Sequence, residues 1–284
     1  MITSTSMTDK KDGVYQEWHK NGTKALETTY ADGEINGQYI EWHANGTQKV
    51  ETTYSVGKIN GKYQQWYPNG NKHIETICVD RKISGLYQEW HSNGELHIET
   101  TYVDDKKHGL YTGWYLNKNK FVDVTYIDGK KTGIYREWHE DGTERVVCEY
   151  KKDEVLRLIK LVDPKGRNCI LPEGDIIVWK ACVTEDERNV FVELMVPAAA
   201  RRVTPVDKNS TYKARVEYGT VLSITDLKGN QFDSAESNIY HKKILKYYVG
   251  QEVRPDGFDP NMNNTCGQGI NVHRHREHCL HWFK

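Results

Sequence analysis

The residues with the clearest capacity for chemistry lie at the carboxyl end of the chain. Cysteine and histidine are concentrated there, at Cys266, His273, His275, His278, Cys279 and His281. Thiolate sulfur and imidazole nitrogen are preferred zinc ligands, and His278 and His281 would share one face of a helix. No Cys-x-x-Cys or His-x-x-x-His pair sets a zinc-finger spacing, however, and Arg274 and Arg276 interrupt the run. We therefore expect a solvated, histidine-rich terminus and treat the six residues only as weak metal candidates.

Catalytic signatures are missing from the sequence. It has no glycine-rich phosphate loop, no nucleophile elbow and no His-Glu-x-x-His pair. We expect Cys266 to be a small buried residue and not a nucleophile. The sequence therefore predicts a protein that is not an enzyme, with no catalytic residues and no cofactor.

A second candidate site is a column of tryptophans spaced 24 residues apart, at Trp18, Trp42, Trp66, Trp90, Trp114 and Trp138. Carboxylates at Glu51, Glu75 and Glu99 recur with the same period. Together they could form an aromatic, acidic strip for a cationic or peptide ligand. A structural role, in which the indoles cover one side of a single-layer sheet, is the alternative, and the two roles are compatible. We predict the column as a partner-binding surface, centred on Trp42, Trp66 and Trp90.

The elements that position this column repeat with it. A glycine and a tyrosine keep the 24-residue interval from Gly13 and Tyr15 onward, and Asn-Gly or Asp-Gly follows the tryptophan in five of the six units. Such dipeptides favour tight hairpin turns, and the Thr-Thr-Tyr runs that follow suit a strand. Two strands of about eight residues and two turns fill one unit. Residues 11–150 are therefore predicted to form six stacked β-hairpins.

Alternation along the strands separates the two faces of this predicted sheet. The aliphatic column that includes Leu26 shares its side with the tyrosines, and the tryptophans lie on the other side. A two-residue loop at Asn21-Gly22 would place Trp18 opposite Ala25. Stacking without stagger would then require about four residues at the second turn, for example 32–35.

The position after each tryptophan carries a ring in every unit. The residues are His19, His43, His91 and His139, with Tyr67 and Tyr115 in the other two units. Because tyrosine replaces histidine, we interpret the position as an amphipathic ring near the turn and not as a row of metal ligands.

The period ends after residue 150. Residues 151–172 are predicted to form a capping hairpin around the turn at 163–166, which would protect the open sheet edge. Residues 173–284 are predicted to form a small β-rich α+β domain with a hairpin at 175–196, a strand within 213–224 and a short strand at 247–253. A last helical turn or two is expected at 276–283, and residues 1–10 are expected to be disordered.

The repeat unit, Tyr15-x-Glu17-Trp18-His19-x-Asn21-Gly22 and its copies, resembles the MORN repeat in the longer variant of antitoxin-like repeat proteins. The resemblance covers residues 11 to about 150. It implies an elongated antiparallel meander of stacked hairpins that serves as a scaffold or interaction platform.

The second half also resembles a known group of domains. The segments around Val178-Trp179-Lys180, Lys213-Ala-Arg215 and Cys266-x-x-Gly269-Ile270 occur in the order seen in an uncharacterised domain that follows repeats in phage and giant-virus proteins. That resemblance implies an origin in a large DNA virus and supplies no activity. A tyrosine-rich β domain ending in Gly-Ile is also similar to ADP-ribosyltransferase-like folds, although no catalytic motif accompanies it.

Composition narrows the class of partner and the compartment. With 39 basic and 40 acidic side chains the net charge is −1, which favours neither nucleic acid nor an anionic membrane as a partner. The polar start lacks a signal peptide's apolar core, and no apolar run is long enough to cross a bilayer. Six irregularly spaced cysteines indicate a reduced environment. We expect an intracellular or virion protein that is not secreted.

These observations together predict a non-enzymatic repeat scaffold that binds protein partners, such as capsid or host proteins, as a virion component or an infection-stage factor. Two alternatives stay open from the sequence. One is an antitoxin-like protein that neutralises a single cognate partner. The other is a nucleotide-dependent activity, similar to ADP-ribosyl transfer, in the carboxyl-terminal domain. The oligomeric state is left open.

Overall fold

The computed structural model describes residues 12–206, 212–237 and 244–283. The chain forms two compact units. The first takes the residues up to Glu144 together with Tyr150–Asp153, and the second takes Arg145–Glu149 and the residues from Glu154 onward. The predicted disorder of residues 1–10 lies outside the described residues. In these residues no helix has the length and apolarity needed to cross a membrane.

The first unit is built from antiparallel hairpins, as the 24-residue period predicts. Its strands follow one another across the sheet in chain order up to β13, and the short strands β5 and β8 pair with β4 and β7. The bounds are β1 (Gly13–Trp18), β2 (Lys24–Ala31), β3 (Glu34–Trp42), β4 (Gln48–Ser55), β5 (Lys58–Ile59), β6 (Gly61–Trp66), β7 (Lys72–Val79), β8 (Lys82–Ile83), β9 (Gly85–Trp90), β10 (Leu96–Val103), β11 (Lys106–Trp114), β12 (Lys120–Ile127) and β13 (Lys130–Trp138); strand β14 (Glu144–Lys151) is divided between the two units.

One face of this sheet is packed by an alternation of large and small side chains. In the row across the strands Thr28 pairs with Tyr15 on one side and Tyr39 on the other, and the order repeats along the array. Each threonine between two rings is buried, and the tyrosine rings also contact each other, for example Tyr39 and Tyr54 at 5.3 Å. A single layer thus forms a core from its own side chains, since the rings cover the threonines.

The Asn-Gly turns differ from the predicted two-residue loop. The His19 N–H donates to the Thr23 carbonyl and the Gly22 N–H to the His19 carbonyl, so the loop has three residues. Only Gly22, and not Asn21, has a positive φ, which is the pattern of a type I turn closed by a glycine bulge. Trp18 consequently pairs with Lys24 and not with Ala25.

The second turn was predicted with about four residues and has two. Ala31 pairs with Glu34, and both turn residues have positive φ, at 51° for Asp32 and 74° for Gly33. The stagger that this short loop creates is removed by a bulge, because the pairing shifts between Thr28 and Tyr30. Gly37 lies in that bulge with a φ of 115°. The recurring glycine of each unit is therefore a bulge residue.

Both edges of the array carry hydrogen bonds between consecutive units. At one edge the Asn21 side-chain amide donates to the Ala44 carbonyl at 2.6 Å, and the following asparagines mostly repeat the contact. At the other edge the Gly57 N–H donates to the Ile35 carbonyl at 2.9 Å, and each later turn repeats it. Each unit is therefore held to its neighbour through its turns as well as through strand pairing.

The second unit is a β-sheet domain. Its strands are β15 (Glu154–Leu161), β16 (Ile176–Val183), β17 (Asn189–Val196), β18 (Arg202–Val203), β19 (Lys213–Val216), β20 (Gly219–Asp226), β21 (Ser234–Ser237), β22 (Lys246–Tyr248), β23 (Glu252–Val253) and β24 (Ile270–His273), followed by a 3-10 helix (Arg276–Trp282). The main sheet has the order β18-β19-β24-β16-β17-β20-β23, with β21 beside β16 and β22 beside β21.

The hairpin predicted at 175–196 is confirmed as β16 and β17, which pair along their full length. The single strand predicted within 213–224 is wrong. Two strands, β19 and β20, occupy that range, and they pair with different partners. In the predicted cap, β15 is followed by a return segment that pairs through the isolated bridge between Val162 and Asn168. Two backbone hydrogen bonds flank this bridge, from the Asp163 N–H to the Arg167 carbonyl and from the Cys169 N–H to the Leu161 carbonyl.

Candidate functional site

The tryptophan column lies on the side of the sheet opposite the tyrosines, and we call this side the Trp face. The Lys24 ammonium is 5.4 Å from the Trp42 ring centroid and 2.6 Å from a Glu27 oxygen, which places all three on one side. Lys72 makes the same bridge between Trp90 and Glu75. Except for Trp18, which is 57% exposed, the indoles are half-buried.

The predicted carboxylates on this face already have partners within the array. Glu51 accepts hydrogen bonds from Gln38 and Gln48, and Glu99 accepts one from Gln88. Glu75 lies against Lys72 and Lys62, and the hydrogen bond from Lys72 lowers the pKa of Glu75. A cationic ligand of this face would therefore compete with the array's own lysines and amides.

Aliphatic side chains add exposed apolar surface to the Trp face. Ile77 lies two residues from Glu75 on β7, and Leu86 lies two residues from Gln88, the partner of Glu75 on β9, so alternation places both on the side of Glu75. Six such residues are between 48% and 55% exposed: Ile77, Val79, Leu86, Val103, Leu110 and Ile127. We call these six the apolar strip. Single exposed leucines are ordinary, but a set confined to one face marks a candidate contact surface.

The ring position after each tryptophan has a structural role, in keeping with its interpretation as an amphipathic ring. Nε2 of His19 donates to the Trp42 carbonyl at 2.8 Å, and the Tyr67 hydroxyl donates to the Trp90 carbonyl at 2.9 Å. Histidine and tyrosine alternate there because each places one donor at the same carbonyl of the following unit.

The expected solvated tail is wrong for most of the six weak metal candidates. His273 and Cys279 are buried, and His278 is largely buried. Cys266, in contrast, is exposed where burial was expected. His275 donates to the Asn168 carbonyl. The six do not converge, because β24 and the 3-10 helix distribute the side chains over different surroundings.

The structure instead brings His278 beside Asp163 and Cys169, whose possible ligand atoms all lie within 4.8 Å of one another. The Arg167 guanidinium already lies among them, 2.7 Å from Asp163 Oδ2 and 3.4 Å from His278 Nε2. Burial alone would raise the pKa of Asp163, but hydrogen bonds from Arg167 and His278 outweigh it and lower that pKa to about 2. Burial raises the pKa of Cys169 to about 12, so its thiol stays protonated. The cluster fits a structural ion-pair network that holds the turn to the 3-10 helix.

Sequence reasoning also missed Arg215, whose side chain is fully buried. Its guanidinium donates to the backbone carbonyls of Asp259, Asn261 and Asn264. Burial lowers the pKa of Arg215. One cation thereby fixes the loop that leads to Cys266. The available signal was that Arg215 belongs to the segment Lys213-Ala-Arg215, one of the segments that carry the resemblance of the second half to a known domain.

Comparison with known proteins supports a division into two parts. Residues 11–32, 59–76 and 83–104 match a MORN repeat variant. Residues 167–279 match a family of unknown function (DUF5758). No curated protein matches the chain. The chain therefore contains MORN-type repeats followed by a domain similar to that family, while the viral origin and the antitoxin-like character stay predictions.

Proposed function

We propose that the repeat array is a scaffold that binds a protein partner through the apolar strip of the Trp face. The observation that carries this proposal is an internal comparison among the six copies. The position of Leu86 and Leu110 is occupied by Gln38 and Lys62 in earlier units, and those units form the same hairpin. An apolar side chain there is thus not needed by the fold.

The same comparison applies at the end of the second strand of each unit. Val79, Val103 and Ile127 occupy a position that is Ala31 and Ser55 in the first two units. Equivalent positions of adjacent hairpins are about 10 Å apart, since two strands separate them. The occupant we infer is a protein that presents a complementary row of apolar side chains, with polar contacts at the rim to the array's lysines and carboxylates.

The experiment compares the full-length protein with the double variant Leu86→Gln and Leu110→Gln as baits in a lysate of the source cells. Glutamine is chosen because the array already carries it at position 38. The matched control is Leu116→Gln, a 59% exposed leucine in an Asn-Lys turn away from the strip. We expect a discrete protein on the wild type and the control and its loss from the double variant.

Equal recovery of every bound protein by all three baits would refute the apolar strip as the contact surface. Sedimentation of the purified protein tests whether a second copy is the occupant, since that dimer would also dissociate in the double variant. Identification of a capsid or host protein decides the finer prediction of a virion component or infection-stage factor. A single tight partner whose activity is neutralised would favour the antitoxin-like alternative.

A further inference from the structure

The first strand of the array has an open edge. Among the described residues β1 pairs with β2 alone, whereas its equivalents in the other five units, β3, β6, β9, β11 and β13, each have a strand on both sides. The exposure of the side chains reflects this difference, since Val14 is 70% and Trp18 is 57% exposed. The strand also contains no lysine or proline, the residues that commonly protect an edge from further pairing.

The later units show which backbone groups this edge presents. The carbonyl at the position of Val14 faces the preceding strand, because the equivalent Gln38 carbonyl accepts a hydrogen bond from the Thr28 hydroxyl at 3.1 Å. The carbonyl at the position of Trp18 likewise accepts a hydrogen bond from a ring of the preceding unit. No described unit precedes β1, so its edge offers these groups to another strand.

The side chains of β1 are arranged symmetrically about Gln16. Val14 and Trp18 lie two residues to either side of it, so alternation places both on the same face as Gln16. Tyr15 and Glu17 lie one residue to either side, on the opposite face, where the Tyr15 hydroxyl donates to Glu17. The strand therefore carries one apolar pair and one polar pair about a single centre.

Antiparallel pairing of two β1 strands about this centre gives each side chain a suitable neighbour. Val14 lies opposite Trp18 of the second copy, and a β-branched residue opposite an aromatic ring is a favourable cross-strand pair. Tyr15 lies opposite Glu17 of the second copy. A two-fold axis at Glu17 would instead place two carboxylates opposite each other, which is unfavourable. An axis at Tyr15 would leave Trp18 opposite Asp12.

We propose that the protein forms a two-fold symmetric dimer in which the β1 strands of two copies pair antiparallel about Gln16. The two arrays then form one continuous sheet, and each contributes the same edge to the contact. The apolar strip lies on β7 to β12, so the dimer leaves it accessible to the protein partner of each copy. Because about five residues of each strand pair, the interface is small, and we expect a dissociation constant on the order of 10 µM.

Sedimentation velocity of the full-length protein between about 1 and 200 µM tests the dimer. Val14→Gln should weaken it about tenfold, because both pairs of valine with tryptophan are lost in each dimer. The fold accepts glutamine at this position, since Gln38 occupies it in the second unit. The matched control is the double variant Leu86→Gln and Leu110→Gln, which makes the same change at the same position of later units and should dimerise like the wild type.

Cysteine substitutions test the register of the pairing. The background is Cys266→Ser, because Cys266 is exposed and the other five cysteines are buried. Gln16→Cys would place two thiols opposite each other with Cα atoms about 4.5–5.5 Å apart, a separation that a disulfide spans. The two copies of residue 14 would lie roughly 14 Å apart. Oxidation by diamide should therefore link Gln16→Cys into a covalent dimer and leave Val14→Cys largely unlinked, although position 14 is the highly exposed one.

Three results would overturn the proposal. The first is a wild-type protein that stays monomeric throughout, which would leave residues 1–11 of the same chain or another protein as the occupant of the edge. The second is equal cross-linking of the two cysteine variants. The third is a dimer that persists in Val14→Gln and dissociates in the double variant, which would assign self-association to the apolar strip. If Val14→Gln fails to fold, the cross-linking comparison decides alone.

Discussion

Replacing Gly85 by valine tests the explanation for the recurring glycine. Its φ is +102°, and an added Cβ would meet only Ile77 side-chain atoms at 3.9 Å or more, so space is not limiting. Gly85 pairs with Tyr102 across the strands, but the added Cβ would not approach that ring, so the reason for glycine is its backbone conformation. A β-branched residue at positive φ costs about 2–3 kcal/mol in backbone strain.

The comparison is His91→Ala, which removes one hydrogen bond to the Trp114 carbonyl and a tilted ring contact with His97, whose ring centroid is 4.2 Å away. That loss amounts to about 1 kcal/mol. Urea unfolding followed by tryptophan fluorescence should therefore show a lower midpoint for Gly85→Val than for His91→Ala. The control is Leu86→Val, which places the same side chain one residue later on an exposed strand position. Equal midpoints for Gly85→Val and the control would refute the reasoning.

Further substitutions test the packing of each unit. Thr100→Val should stabilise the array by up to about 1 kcal/mol, because the buried Oγ1 of Thr100 has no hydrogen-bond partner among the described residues. Thr76→Val should not stabilise it, because the Thr76 hydroxyl donates to the Leu86 carbonyl, and urea unfolding midpoints distinguish the two variants. Burial lowers the pKa of His273 to about 3. The hydrogen bond to the Tyr212 carbonyl opposes this shift, and the nearby His278, Lys180 and Lys213 add to it. As the pH falls, the unfolded chain takes up this proton before the folded protein does. Stability that is present above pH 6.5 is therefore lost as the pH falls toward 3, by up to about 1.4 kcal/mol per pH unit. His273→Phe should reduce this dependence of the melting temperature on pH, and an unchanged dependence would contradict the assignment. Arg215→Met should lower the free energy of unfolding by about 3 kcal/mol, because it leaves three carbonyls unpaired. It should also accelerate alkylation of Cys266 by loosening the loop, and an unchanged alkylation rate would contradict this role of Arg215.

The array was predictable because the same residue pattern recurs in six consecutive units. The 24-residue period predicted the hairpins. Alternation along the strands predicted that the column of Leu26 and the column of Trp18 lie on opposite faces. The turns were predicted less well, since Asn-Gly serves both two-residue and three-residue loops. At Asn21-Gly22 the three-residue loop accompanies a shift in pairing between Glu17 and Trp18, and the sequence has no separate pattern for that bulge.

The second unit was less predictable because its decisive contacts are distant in sequence. Arg215 binds carbonyls 44 to 49 residues away, and β24 pairs with both β16 and β19. Histidines near the end of the chain looked solvated because charged neighbours surround them locally. His273 is buried because its strand lies in the interior of the sheet. The order of strands in a sheet cannot be inferred from the local residue pattern.

The apolar strip is distinguished by side chains that the fold does not require. In the array, Gln38 and Lys62 show that the position of Leu86 and Leu110 accepts polar residues without loss of the hairpin. The fold therefore does not account for leucine at these two positions, whereas contact with a protein partner would. The double variant Leu86→Gln and Leu110→Gln should therefore fold as well as the wild type while losing partner binding.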